Sequence, residues 1–151
     1  MTNADPRWLT DPEMRAWMGY RRLRLLLDAQ IARDLQHDSG LSAADYDVLT
    51  ALSAAPGHRR RLTQLADRML WAKSRLSRHI ARMETRGLVA RTDVAGDARG
   101  SAVTLTETGL HTLEQAAPAH VASVRRHFID LLTEDELRVF AEITERALAR
   151  L

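Results

Sequence analysis

The stretch that decides the fold runs from Leu62 to Thr106 and reads LTQLADRMLWAKSRLSRHIARMETRGLVARTDVAGDARGSAVTLT. Its first part predicts a short helix capped by Thr63, because a threonine oxygen can accept a hydrogen bond from an unpaired N–H of the first turn. After a break at residues 70–72, a second helix is predicted to run to about Arg86. Two short helices separated by a tight turn are the frame of a helix-turn-helix motif.

The second helix has one apolar stripe and a basic outer surface. Leu76, Ile80 and Met83 stand at i, i+4 and i+7, so they share one face. His79 is expected to face outward. The polar residues elsewhere on this helix are Ser74, Arg75, Ser77, Arg78, Arg82 and Arg86. This pattern is typical of a recognition helix that enters a major groove, and a solvated amphipathic helix has the same pattern.

A β-hairpin is predicted to follow the basic helix directly. Residues 88–93 and 101–106 have the character of short strands, and a glycine-containing tip, residues 94–100, lies between them. A hairpin in this position is a wing. Arg99 at the tip is long and planar enough to lie in a narrow minor groove, where the negative potential is deepest. Alternatively, Arg99 pairs with Asp97 and stiffens the loop.

These two segments carry a specific resemblance. Residues 97–106, DARGSAVTLT, resemble the wing of the MarR family of bacterial winged helix-turn-helix regulators, and residues 74–89, SRLSRHIARMETRGLV, resemble that family's recognition helix. The resemblance extends over nearly the whole chain, since the family also carries helices on both sides of this core. One departure is Ala72, where relatives often have a serine that caps the recognition helix, so the cap is left to Ser74 or to water.

The resemblance implies a mainly α fold with a small β-wing, in a single domain of residues 1–151. Residues 41–105 form its winged helix-turn-helix region, and residues 11–37 and 106–151 form the helices of a dimerisation bundle. It also implies a sequence-specific DNA-binding transcriptional regulator, a ligand-responsive repressor that acts as a homodimer on a pseudo-palindromic operator in double-stranded DNA. No enzymatic activity and no cofactor are expected.

The resemblance assigns DNA contacts to the second helix and to the wing. Base edges or phosphates are approached by the first residues of the helix, and Arg82 holds a phosphate. The expected DNA-binding residues are Lys73, Ser74, Arg75, Ser77, Arg78 and Arg82 in the helix, and Asp97 and Arg99 in the wing. Trp17 and Tyr46 could line a cleft for a small aromatic or drug-like effector, as the family binds such molecules. Alternatively, both are core residues.

Charge is distributed unevenly in a way that supports DNA binding. The net charge of the 151 residues is only +2, but residues 58–99 carry 11 of the 22 Lys and Arg residues and four acids, a surplus of seven positive charges. The rest of the chain has a surplus of five negative charges. This basic segment lies in the predicted winged helix-turn-helix region, residues 41–105, hereafter called the reading head. Such a concentration of positive charge is typical of a nucleic-acid-binding protein.

Composition and missing patterns exclude several other classes. The chain has no cysteine, which removes disulfides and thiolate chemistry. No apolar run is long enough for a bilayer and the start lacks a signal peptide's apolar core, so a cytoplasmic protein without membrane partners is expected. His120 and His127 lie roughly 10 Å apart along one helix, too far to ligate one ion directly. No metal site is expected, although one assembled with His111 or across a dimer stays open.

Local signals define the flanking helices. Asp11 and Pro12 predict the start of a long helix that runs to about Gln36. Its apolar stripe is so wide that a second copy of the chain is the natural partner. Ser42 with Asp45, and Thr133 with Glu136, are predicted capping boxes. Thr106 is the predicted cap of a long helix that continues to Leu132 with a bend or break near Pro118. Before the first helix of the helix-turn-helix, residues 58–62 are predicted to form either a third short strand or a solvated basic loop.

The sequence is also compatible with two functions from other classes. The first is an architectural protein that coats DNA regardless of sequence. The second is a winged helix that binds protein instead of DNA, whose recognition face should be apolar or acidic. The four arginines of the second helix argue against the second alternative.

Overall fold

Helices surround a small antiparallel sheet in the computed structural model, which describes residues 6–151 except for the side chains of residues 97–99. The mainly α fold with a small β-wing is therefore confirmed. The elements are α1 Asp11–Ser39, α2 Ala43–Ser53, β1 Arg59–Arg61, α3 Leu62–Met69, α4 Lys73–Thr85, β2 Val89–Val94, β3 Asp97–Leu105, α5 Glu107–His127 and α6 Glu134–Leu148. Short 3-10 turns at Pro56–His58 and Ile129–Leu131 lead into β1 and α6.

Side-chain caps begin four of the helices, α1, α2, α5 and α6. The predicted boxes of Ser42 with Asp45 and of Thr133 with Glu136 are both present, and Thr106 accepts a hydrogen bond from the third backbone N–H of α5. The start of α1 differs by one residue from the prediction. Its N-cap is Thr10, which forms a further capping box with Glu13.

The two helices of the helix-turn-helix begin without side-chain caps. Thr63 lies inside α3, which follows β1 directly with Arg61 at the N-cap, so the predicted cap is wrong. Ala72 is the N-cap of α4, and no side chain caps this helix. Ser74 lies within the helix and does not cap it. Leu70 closes α3 in the left-handed region, with φ of 54°. Backbone hydrogen bonds from Leu70 to Asp67 and from Trp71 to Ala66 complete this end.

The sheet has the strand order β1-β3-β2. Its first strand confirms the predicted third strand, with Arg60 opposite Val103. The hairpin is tighter than predicted, because β2 extends to Val94, β3 begins at Asp97, and only two residues separate them. Gly96, with φ of 80°, supplies the positive backbone angle that such a short turn requires.

The hydrophobic core lies where α2, α3, α4, the sheet and the first half of α5 meet. The stripe of α4 is fully buried, as predicted, and it belongs to the same core cluster as the buried residues of α2. Leu35 and Leu113 bring the end of α1 and the start of α5 into this core. The fully buried large apolar side chains are Leu41, Val48, Leu49, Leu52, Leu65, Leu76, Ile80, Met83 and Val103.

Away from this core, the outer helices leave apolar surface open. The first two thirds of α1 and most of α6 expose large side chains, namely Met14, Trp17, Met18, Tyr20, Leu23, Leu25, Leu26, Val139, Phe140, Ile143 and Leu148. Helix α5 continues through Pro118 without a break and ends at His127, so the predicted extension to Leu132 is wrong. Within residues 6–151, no helix has the length and apolar character needed to span a membrane.

Candidate nucleic-acid interface

The recognition helix α4 presents a basic face opposite its buried stripe. Leu76, Ile80 and Met83 are fully buried, which fixes the rotation of the helix on the core. The predicted contact residues that are exposed on its other side are Lys73, Ser74, Arg75, Arg78 and Arg82. Among the described residues, Arg78 has no hydrogen-bond or ion-pair partner, so its guanidinium is available to a ligand.

The turn before α4 orients one of these arginines. Trp71 is half-buried, and the guanidinium carbon of Arg75 lies 3.9 Å from its ring centroid. A planar cation stacked on an aromatic ring is held electrostatically and loses less freedom when it binds a ligand. Leu70, immediately before Trp71, is 92% exposed.

Ser77 is tied to the wing. The Nη2 atom of Arg91 in β2 donates to the carbonyl oxygen of Ser77 at 2.9 Å and lies 3.2 Å from its hydroxyl oxygen. The backbone N–H of Arg91 also donates to Glu84. These bonds fix the hairpin against α4. Sequence reasoning missed Arg91, because nothing in its spacing separates it from the other arginines of the basic segment.

The structure corrects the prediction that His79 faces outward. His79 is 8% exposed, and its Nε2 atom lies 3.0 Å from Oδ1 of Asp45, a close electrostatic contact without the alignment of a hydrogen bond. The Nδ1 atom of His79 lies 3.2 Å from Nη2 of Arg82. Arg86 donates to Oδ2 of Asp45 at 2.7 Å. Arg86 is thus paired with a buried carboxylate, although its own side chain stays 44% exposed.

Asp45 is the centre of this polar cluster. It is 4% exposed, and it also accepts the backbone N–H of Ser42 as part of the capping box. Burial acts to raise the pKa of Asp45, but the hydrogen bonds from Arg86 and Ser42 outweigh it and leave this pKa below its usual value. Burial also lowers the pKa of His79, with help from the positive charges of Arg82 and Arg86.

Both shifts predict a loss of stability in acid. Because each pKa is lower in the folded chain, the unfolded chain binds a proton first, at His79 below about pH 6.5 and at Asp45 below about pH 3.9. The free energy of unfolding should therefore fall as pH drops through these windows. Urea unfolding between pH 7.5 and 5 measures the first window.

A matched variant isolates the histidine. His79→Gln should lose part of the pH dependence in this first window, while contributions from His37 and His120, whose pKa values also shift, cancel in the difference from wild type. Equal pH slopes for variant and wild type would show that His79 is not buried in its neutral form.

The wing brings a second basic element beside α4. The predicted contacts Asp97 and Arg99 belong to β3 by their backbone, but their side chains lie outside the described part of the chain. On the other edge, Arg59 in β1 lies across the sheet from β2, with its Nη2 atom 3.4 Å from the hydroxyl of Thr92. Arg60 donates to the carbonyl of Ala51 and so anchors β1 to α2.

The two candidate effector residues occupy different environments. Trp17 is 49% exposed and stacks on Tyr20, with 5.9 Å between ring centroids. It precedes Leu35, where α1 enters the core, by about 27 Å along the helix axis. Tyr46 is half-buried and its ring centroid lies 4.3 Å from that of His120. Within the subunit, Trp17 and Tyr46 therefore contact different aromatic rings.

The last histidine of α5, His127, is engaged by a carboxylate of α1. His127 lies 3.0 Å from Oδ2 of Asp34, which also accepts the hydroxyl of the buried Ser123 at 2.7 Å. This cluster ties α5 to α1. In the part of the chain that the structure describes, no group of three or more potential ligands is placed to hold a metal ion.

A helix-turn-helix with a basic, exposed second helix and a hairpin fixed beside it defines a winged helix-turn-helix DNA-binding protein. Residues 39–100 match the sequence model of the MarR family. The transcriptional regulator HosA of Escherichia coli is 31% identical over 127 residues, which span 84% of this chain and 92% of HosA. The chain therefore belongs to the MarR family of transcriptional regulators.

Two solved structures from Streptomyces coelicolor agree with this assignment. AbsC, a MarR family transcriptional regulator, is 43% identical with a TM-score of 0.87, over 96% of this chain and 97% of that chain. Sco3205, a MarR family transcriptional regulator determined in complex with DNA, is 37% identical with a TM-score of 0.90, over 99% of this chain and 93% of that chain.

Proposed function

We propose that this protein is a ligand-responsive repressor that binds a pseudo-palindromic operator as a homodimer. The observation that carries the proposal is the exposed basic face of α4, with Arg78 at its centre, rigidly mounted on a buried stripe and flanked by the wing. Arginine can bond a guanine edge through two parallel hydrogen bonds, whereas Ser74 offers a short donor or acceptor. Arg99 enters the flanking minor groove.

The outer helices form the dimerisation bundle, residues 11–37 and 106–151. Support comes from the many large apolar side chains that α1 and α6 leave exposed, since large exposed apolar surface on a small protein marks an interaction site. A two-fold axis through this bundle places two copies of α4 about 34 Å apart, one helical turn of DNA. Sedimentation at assay concentrations should give a dimer, and a lone subunit would contradict the proposal.

An effector acts by changing the separation of the two recognition helices. A small aromatic molecule bound between the bundle and the reading head, near Tyr46 or Trp17, would shift the spacing without touching any base contact. A thermal-shift screen of phenolic acids and antibiotics tests this step, because a ligand that binds only the folded protein raises its melting temperature.

Sequence preference separates the proposal from an architectural DNA-coating protein. Duplexes enriched by the protein from a random library should outcompete scrambled duplexes of equal length by at least about 10³-fold. Equal competition would favour the architectural alternative. Failure to bind either duplex would favour a protein-interaction module.

Arg78→Ala tests the base contact. We expect a loss of about 1–3 kcal/mol for each half-site, or roughly 5- to 150-fold for each of the two, together with relaxed preference at one position of each half-site. Fluorescence anisotropy on the selected duplex and its single-base variants measures both effects.

Arg7→Ala is the matched control. Arg7 is an exposed arginine before α1 whose Nη2 atom lies 3.9 Å from Oε1 of Glu13, so its loss removes an equal charge outside both the reading head and the proposed bundle. An equal loss of affinity in both variants would mean that net charge, and not the position of Arg78, governs binding.

A further inference from the structure

A line of polar side chains runs from α2 to the outer face of α4 and ends on Arg82. Asp45 stands at its buried end, with Oδ1 3.0 Å from Nε2 of His79. The opposite ring nitrogen of His79, Nδ1, lies 3.2 Å from Nη2 of Arg82, whose side chain is exposed. A carboxylate and an imidazole, whose side chains are only 5% and 11% exposed, therefore stand directly behind a cation of the recognition helix.

The two partners of His79 require the same protonation state. A guanidinium has donors only, so Nδ1 must accept the hydrogen bond from Arg82. A carboxylate beside Nε2 favours a proton on that nitrogen. The charged groups that face the ring are Asp45 from α2 and Arg82 and Arg86 from α4, and the edge of Trp71 covers it. All of them are compatible with one neutral tautomer.

We propose that His79 is a positioning residue for DNA binding, which Asp45 holds in place and which fixes the guanidinium of Arg82 toward a phosphate of the DNA backbone. The proposal rests on the proposed DNA-binding function. One of the five N–H donors of Arg82 is occupied by Nδ1, which leaves the others for the phosphate. A side chain that is held before binding loses less conformational freedom on binding, which corresponds to about a 2- to 10-fold gain in affinity.

Two substitutions of His79 separate positioning from packing. The amide oxygen of Asn reaches the place of Nδ1 and can accept from Arg82, whereas the amide of Gln reaches the place of Nε2 and faces Asp45. Both variants lose the ring and its contact with Trp71. His79→Gln should weaken binding to the selected duplex about 2- to 10-fold for each of the two subunits. His79→Asn should stay within about twofold of wild type for each subunit.

The coupling between His79 and Arg82 distinguishes a positioning role from a purely structural one. Arg82→Ala should weaken binding and reduce the slope of log affinity against log salt by about 0.9 per lost phosphate contact, or about 1.8 per dimer. In that background, His79→Gln should cause no further loss. Equal losses for His79→Asn and His79→Gln, or an undiminished effect of His79→Gln without Arg82, would overturn the proposal.

The failure of this inference is distinguishable from failure of the proposed function. If Arg82→Ala leaves affinity and salt slope unchanged while Arg78→Ala still weakens binding, the positioning role is wrong and operator binding stands. If the wild-type protein enriches no sequence from the library, both proposals are wrong.

Discussion

Raising the salt concentration from 50 to 200 mM should weaken binding of this protein to its operator by about 10³- to 10⁵-fold. The reason is that a dimer whose helices and wings neutralise six to ten phosphates, as the basic faces suggest, releases a comparable number of condensed cations on binding. Log affinity then falls linearly with log salt, with a slope of about −0.9 for each phosphate contact. Anisotropy titrations at four salt concentrations measure this slope.

Two variants show which part of the chain sets the slope. Arg99→Ala should lower its magnitude by about 1.8 per dimer, if each wing places one guanidinium in the minor groove. Arg7→Ala, outside the reading head and the proposed bundle, should leave the slope unchanged. A flat salt response of the wild-type protein would contradict the electrostatic part of the proposal. An unchanged slope for Arg99→Ala would mean that the wing only stiffens the structure.

Most of the fold could be predicted from local sequence patterns. The capping boxes at Ser42 and Thr133, the cap at Thr106 and the buried stripe of α4 were all predictable, because each depends on residues no more than a few positions apart. The caps of α3 and α4 were not. Those two helices begin at residues without a side-chain hydrogen bond, so their starts depend on packing against β1 and the core, which no local pattern records.

The least predictable part of the site is the environment of His79. A histidine on a basic helix looks solvent-facing when only the apolar stripe is counted, but position 79 borders that stripe at 100° per residue. What decides its burial is Asp45, 34 positions earlier, because a paired carboxylate makes burial of a polar ring tolerable. Arg86 and Arg91 were misjudged or missed for the same reason. Their partners, Asp45 and Ser77, are brought near by tertiary packing.

Gly109 illustrates another constraint that the sequence does not reveal. It lies in the first turn of α5, where the sequence shows only a weak helix former after the cap Thr106. In the folded chain, Thr106 donates its backbone N–H to the carbonyl of Leu88 at 3.2 Å and its hydroxyl hydrogen to the carbonyl of Gly87 at 2.6 Å. Gly109 packs against the carbonyl of Leu88. This contact joins the helix-turn-helix to the C-terminal helices, so its geometry sets how the reading head is mounted.

Gly109→Ala should destabilise the protein by about 3 kcal/mol or more, despite the better helix propensity of alanine. A Cβ atom at this position would lie 2.0 Å from the carbonyl oxygen of Leu88 and 2.8 Å from Cδ1 of Leu105. The first neighbour is backbone, so α5 itself must move and the hydrogen bonds at Thr106 must weaken. For a chain of this size, the melting temperature should fall by roughly 6–12 °C, measured by circular dichroism at fixed protein concentration.

Thr108→Ala is the control for this prediction. Thr108 occupies the adjacent, exposed position of the same turn, so its replacement should change stability by no more than about 0.5 kcal/mol. The comparison therefore separates the steric demand at position 109 from any general effect of alanine near the start of α5. If Gly109→Ala melted at or above the temperature of Thr108→Ala, α5 could not lie as close to Leu88 as the structure places it. The link between reading head and bundle would then have to be looser than described.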